Sequence, residues 1–252
     1  MVTRLFLVML FLALSCFAAC APHPTQMTVA ELEALIRPSG NHVQILETTL
    51  FPLLTVSTAS PKAPAPVLRV YIEGDGMAWR TRRHLSSHPT PTNPRALHLM
   101  LAAPTAHKLY IARPCQFIQS TACKPRYWST DRYSDVVVTS VSSALSQVAQ
   151  EKCYRQLELV GYSGGGTLAL LLAAQRDDVL SIRTVSGNLD PDAFCRLHHV
   201  SPLNGSLNPV DFAEKLQRIP QLHFIGEKDS IVPPEVFSSY RRAFPETSPV
   251  RS

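Results

Sequence analysis

Leu157-Glu158-Leu159-Val160-Gly161-Tyr162-Ser163-Gly164-Gly165-Gly166, followed by the apolar run from Thr167 to Ala174, decides the fold of this chain. A short leucine- and valine-containing run leads into Gly-x-Ser-x-Gly and a helix-forming run leaves it, so Ser163 belongs on a strand-to-helix turn. A serine held there takes strained backbone angles, tolerates only small flanking residues, and projects its hydroxyl above the sheet edge. Gly161, Gly164 and Gly165 supply those small neighbours. The backbone N–H of Gly164 then opens the following helix, where unpaired donors and the helix dipole favour negative charge.

Outward from the turn, strands and helices alternate. Val67 to Ile72 reads as an interior strand that empties into Glu73-Gly74-Asp75-Gly76, and Pro94 to Ala102 as a helix with proline in its first turn. Lys108 to Ala112 is the next strand. Ser134 is placed to cap a helix whose Val137, Val141, Leu145 and Val148 share one face. Val179 to Val185 and Gln221 to Ile225 are further strands. The last empties into Gly226-Glu227-Lys228-Asp229-Ser230-Ile231-Val232-Pro233. Ahead of these, Val43 to Thr49 and Phe51 to Ser57 read as a leading antiparallel hairpin, and Ser60 to Pro66 as a stiff proline-rich connector. Such alternation gives a mainly parallel sheet with ligands gathered at the carboxyl ends of its strands.

The turn at Ser163 resembles the nucleophile elbow of the α/β-hydrolase superfamily, and Gly226 to Pro233 resembles that family's acid loop, Gly-x-x-Asp-x-x-Val-Pro. The resemblance runs from Val67 to about Phe244. It implies an α/β-hydrolase-like three-layer sandwich with a mostly parallel twisted sheet. It also implies Ser163 as nucleophile, Asp229 as the acid, and an oxyanion hole built from the N–H of Gly164 and of Asp75 and Gly76. Glu73 stands where the family often has histidine; because the donor is main chain, that departure need not remove it.

The family's order is serine, acid, histidine, and no histidine follows Asp229. His223 lies inside the last strand and reads as a packed residue. An eighth strand, a final helix and the catalytic base are therefore expected to be missing together, as in a shortened copy whose activity is impaired and whose seventh strand has an unpaired edge. Two alternatives stand beside this. His198 or His199, on the irregular excursion from Asn188 to Pro209, acts as base, or the protein is a non-catalytic extracytoplasmic lipoprotein using the old pocket for a ligand or partner.

The chain has 252 residues, 45% of them hydrophobic and 17% charged, enough for one sizeable α/β core. A net charge of +5 is spread along it, with one cluster from Arg80 to His84, which reads as a solvated loop rather than a nucleic-acid surface. Arg4 precedes the apolar run Leu5 to Leu14, the core of a signal peptide and too short to span a membrane. Phe17-Ala18-Ala19-Cys20 resembles the lipobox of bacterial lipoproteins, with Phe17 in place of the usual leucine. That resemblance implies an acylated Cys20 and a membrane-anchored product; plain secretion or use of Cys16 is the alternative. Residues 1–19 are thus a signal peptide, 20–40 a tether with a short helix near Ala30 to Ile36, and 41–252 the hydrolase domain.

Cys115, Cys123, Cys153 and Cys195 remain for an oxidising compartment. Cys115 and Cys123 bracket one short loop and are expected to pair; Cys153 and Cys195 are left undecided. No Cys-x-x-Cys or matching histidine pair points to a metal, and no cofactor is expected. The partner expected is a small acyl substrate.

Overall fold

The computed structural model describes residues 25–58, 65–81 and 83–252. The signal segment, Cys16, Cys20 and Ser60 to Pro64 of the connector lie outside the described residues.

Among the described residues ten strands and seven α-helices follow in chain order. Thr28 heads α1 (Val29–Ile36) with a reciprocal capping box to Glu31. Then come β1 (Asn41–Glu47), β2 (Pro52–Thr58), β3 (Val67–Ile72), the two-stranded ribbon β4 (Trp79–Thr81) and β5 (His84–Leu85), α2 (Arg95–Ala102) and β6 (Lys108–Ile111). A 3-10 turn at Pro125–Trp128 precedes α3 (Asp135–Glu151), β7 (Gln156–Tyr162), α4 (Gly164–Gln175), β8 (Val179–Val185) and α5 (Pro191–Leu197). A second 3-10 turn, Pro209–Phe212, leads to α6 (Ala213–Leu216), β9 (Gln221–Phe224), α7 (Pro234–Arg241) and β10 (Val250–Arg251).

The large sheet runs β1-β2-β6-β3-β7-β8-β9-β10. β1, β2 and β6 pair antiparallel; every neighbour from β6 to β10 pairs parallel. Side-chain alternation divides the interior between two faces. On one face Leu68, Val70 and Ile72 of β3 and Leu157 and Leu159 of β7 pack under α3 and α4. On the other, Tyr71, Tyr110 and Val160 pack with Leu32 and Ile36 of α1 and Ala96, Leu97 and Met100 of α2. The three-layer arrangement expected from the sequence is present. α4 is buried on every side, which explains why its run shows no polar stripe.

Some local expectations resolve differently. Ser134 stands at the N-cap of α3, yet its side chain makes no capping bond and its Oγ has no partner among the described residues. Asn208 accepts the N–H of Val210 and heads the 3-10 turn before the short α6. A short strand stands where one was expected to be missing: Val250 and Arg251 pair parallel with Gln221 and Leu222 of β9. That cover stops short of His223 and Phe224, and on the opposite face from α7 Phe224 is 51% and Leu222 36% exposed.

Because β3 and β6 to β10 run the same way, their carboxyl ends share one rim. In spatial order it carries Arg113 after β6, Asp75 after β3, Ser163 after β7, Ser186 after β8, and Asp229 after β9.

Candidate functional site

Ser163 sits between β7 and α4 with φ 50° and ψ −120°, a left-handed conformation rarely taken by a residue with a side chain. Three backbone bonds hold it. Its N–H donates to Val185 O at 3.0 Å, and its carbonyl accepts the N–H of Gly166 at 2.9 Å and of Asn188 at 3.1 Å. The tightness of the bend fixes its neighbours: a Cβ on Gly161 would stand 2.3 Å from the carbonyl oxygen of Gly165. Ser163 itself is half-buried rather than sealed beneath the core.

Beside it runs the Glu73–Gly76 loop. Gly74 packs against Tyr162 and Ser163, a Cβ there falling 3.4 Å from that of Ser163. Gln116, buried, fastens the loop by donating Nε2 to Gly74 O at 2.9 Å while its Oε1 accepts Arg113 N–H at 3.0 Å. Glu73 is also buried and acts on the scaffold: its carboxyl accepts the N–H of Gly74 at 2.9 Å and of Ala96 at 3.2 Å, tying the loop to the start of α2. Burial pushes its pKa up to about 7 against the pull of those N–H groups.

The Asp75 carboxylate turns toward α4 and meets two guanidiniums. Arg113 Nη1 pairs with Oδ1, Arg132 Nη1 with Oδ2 at 2.8 Å, and the Tyr133 hydroxyl donates to the same group at 3.1 Å. Burial alone would raise the Asp75 pKa; the charges of Arg132 and Arg113 outweigh it and hold the carboxyl below the usual range. Burial and the charge of Asp75 push Tyr133 up to about 12, so it remains a neutral donor.

Two strand ends along from Ser163, Asp229 is partly buried. Its Oδ1 accepts the N–H groups of Ile231 and Val232, both at 2.9 Å. Burial opposes its charge, but those N–H groups and the Ser186 hydroxyl prevail and keep its pKa low. Ser186 bridges the positions of Ser163 and Asp229: it follows β8, has φ 47°, and donates its N–H to Phe224 O at 2.9 Å.

The histidines fall elsewhere. His198 Nε2 bonds Ile231 O at 2.8 Å, fastening the excursion after β8 to the Asp229 loop, and its ring packs on Phe194 with centroids 4.4 Å apart. His199 is exposed with φ 52°. His223 is buried inside β9 as expected, bonded to Thr184 Oγ1 at 2.8 Å, and burial pushes it down to about 3. Among the described residues no histidine is hydrogen-bonded to Ser163 or Asp229. Cys115 and Cys123 are disulfide-bonded, with Cα atoms 5.7 Å apart, whereas Cys153 is exposed and free and Cys195 buried and free. No group of three His, Cys, Asp or Glu side chains among the described residues is placed to hold a metal ion. A cavity of about 470 Å³ bounded by Met27, Met77, Arg80, His88 and Phe117 opens next to the Glu73–Gly76 loop, and Ser163 does not line it.

Sequence reading missed Arg113, Arg132, Tyr133, Gln116 and Ser186. Arg113 at a strand exit offered the one faint signal; the others depend on folds of loop that no periodicity encodes.

The overall fold finds counterparts among solved structures. A lidless α/β serine hydrolase from Xanthomonas campestris is 15% identical, with 85% of this chain and 84% of that one covered and a TM-score of 0.52. Est1E from Butyrivibrio proteoclasticus is 14% identical over 83% and 86%, at 0.54. A lipase candidate from Acinetobacter baumannii AYE is 16% identical over 92% and 90%, at 0.55. No family model and no curated protein matches the sequence. At these identities the likeness establishes the fold: the chain has the α/β-hydrolase fold.

Proposed function

We propose that this chain of α/β-hydrolase fold is a serine hydrolase acting on a carboxylic ester or related acyl compound, with Ser163 as nucleophile. The observation that carries the reading is the backbone of Ser163, held at φ 50° on the bend between β7 and α4 although a glycine would sit there without strain. Strain of this kind persists where the surrounding structure enforces it, most often at working sites.

In the proposed reaction Ser163 Oγ bonds to the acyl carbon, the carbonyl oxygen takes the negative charge, and the bond to the leaving alkoxide breaks. No histidine among the described residues is hydrogen-bonded to Ser163, so the hydroxyl proton passes to the alkoxide by way of a water molecule. Water then repeats the attack, releasing the acid and restoring the serine. The N–H groups of Gly164 and Asp75 are the donors for the oxyanion; neither has a hydrogen-bond partner among the described residues. Asp229, held by the loop's own N–H groups, supplies a negative charge that steadies the proton in transit. Its low pKa keeps it ionised for that task. We assign the protein to the extracytoplasmic face of a bacterial membrane, anchored through Cys20, on the sequence signals alone.

The test is covalent labelling by a fluorophosphonate, read by intact mass. Labelling of the wild type that vanishes in Ser163→Ala supports the assignment. In Asp229→Asn, which preserves the loop bonds through the amide oxygen, labelling is expected to slow because the charge that steadies the proton in transit is lost. A wild type that stays unlabelled while folded removes the hydrolase reading.

A further inference from the structure

We infer that Asp75, through Arg113 and Arg132, is an electrostatic strut that positions the oxyanion donors of the Ser163 site and leaves a net positive charge behind them. The inference rests on the serine-hydrolase reading for its catalytic meaning; the strut itself rests on geometry.

The Asp75 side chain sits against the first turn of the helix that follows Ser163. A Cβ built on Gly164 would lie 2.2 Å from Asp75 Oδ1 and 2.7 Å from the Tyr133 hydroxyl, so the carboxylate and Gly164 are already in contact. Asp75 therefore has its backbone beside Ser163 and its charge beside Gly164, the two places from which an oxyanion would be bound. A bare carboxylate there would oppose the negative charge that acyl transfer develops. Two guanidiniums answer it. Arg113 reaches in from the exit of β6 with its side chain 5% exposed, and Arg132 from the segment before α3 with its side chain 14% exposed.

Each guanidinium is fixed at more than one point. Arg113 Nη2 donates to Arg132 O, Arg132 Nε donates to Ser129 O at 2.8 Å, and Arg113 stacks over the Tyr133 ring with its Cζ 5.0 Å from the centroid. The strut thus joins two separate segments, the β6 exit and the segment before α3, to one carboxylate. Its local sum is one negative and two positive charges, in a region where low dielectric makes the excess felt.

Burying such a set is costly unless every member is paired. A simpler structure would place an apolar residue at position 75. What the charged version supplies is an orientation for the Asp75 N–H and a positive field at the oxyanion. Arg132 is accordingly a positioning residue.

The experiment compares Arg132→Lys and Arg132→Met with the wild type in two measurements. In the first, the maximal rate of fluorophosphonate labelling and the half-saturating probe concentration are separated. The maximal rate is expected to fall about 30-fold in Arg132→Met and to return to within about threefold of wild type in Arg132→Lys, with half-saturation moving less than about twofold. In the second, hydrogen exchange of the Gly74–Met77 peptide is expected to quicken about tenfold in Arg132→Met and little in Arg132→Lys. Unchanged exchange in Arg132→Met at matched global stability overturns the strut, whatever the labelling does. Faster exchange with an unchanged maximal labelling rate overturns its catalytic part. A wild type that never labels, with exchange responding as expected, removes the hydrolase reading and leaves the strut as a structural device.

Discussion

Asp75 occupies the space into which a side chain on Gly164 would grow, with Oδ1 only 2.2 Å from the position of that missing Cβ. Oδ1 cannot retreat, because Arg113 holds it. Gly164→Ala is therefore expected to cost about 1–3 kcal/mol by forced displacement of a fixed neighbour, and to abolish fluorophosphonate labelling as the Asp75 loop is pushed off the serine. Denaturant unfolding and labelling of the folded variant check both parts. A variant as stable and as reactive as wild type would show that the contact is slack.

Glu73 gives the stability of the chain an unusual pH dependence. Folded, it keeps its proton to about pH 7; unfolded, it releases it near the ordinary 4.5. Between those values the folded state binds more protons, so its stabilising share is complete below about pH 4.5, declines as pH rises through the window, and is gone above about 7. The full difference is on the order of 3 kcal/mol. Comparing melting temperatures of wild type and Glu73→Gln from pH 4.5 to 8 isolates this group. The wild type is expected to lose stability relative to the variant as pH rises, and a constant difference across the range would mean that Glu73 titrates as an ordinary carboxylate.

The Cys115–Cys123 loop bears on the site through its neighbours. Arg113 precedes it, and Gln116 lies within it and holds the carbonyl of Gly74. Closing so short a loop restricts the unfolded chain by about 2–3 kcal/mol. Cys115→Ala with Cys123→Ala is expected to lower unfolding free energy by that amount and to slow labelling at Ser163 several-fold, because Gln116 loses a fixed backbone. Equilibrium unfolding under non-reducing conditions, beside labelling rates, checks it. Equal stability with and without the bridge would place the loop's order in its hydrogen bonds alone.

The parts legible in the sequence are those written in local pattern. The bend at Ser163 announced itself because strand, glycines and apolar helix are contiguous, and the parallel strands because their runs are short, apolar and separated by helical periods. The pairing of Cys115 with Cys123 followed from proximity along the chain. The Asp75 cluster did not show, because its two arginines stand 38 and 57 residues from it and meet it only once the β6 exit and the segment before α3 have folded over the same rim. Glu73 was visible as a departure from a family pattern, but its anchoring of α2 depends on where Ala96 comes to lie. The two-residue β10 was illegible for a different reason: Val250-Arg251 has no periodicity to read, and its strand character comes wholly from β9 beside it.

Ser163 offers the sharpest separation of structure from function. At φ 50° and ψ −120° a serine is strained by about 1–3 kcal/mol, while a glycine there is strained hardly at all and forfeits about 0.5–1 kcal/mol in unfolded-state entropy. Ser163→Gly is therefore expected to stabilise the fold by about 1 kcal/mol, whereas Ser163→Ala, which keeps its Cβ and with it the strain, should stay within about 0.5 kcal/mol of wild type. Both lose the hydroxyl and neither should label. If unfolding measurements find the glycine variant no more stable than the alanine one, the bend is relaxed, and the argument that a serine is kept there for its chemistry loses its physical basis.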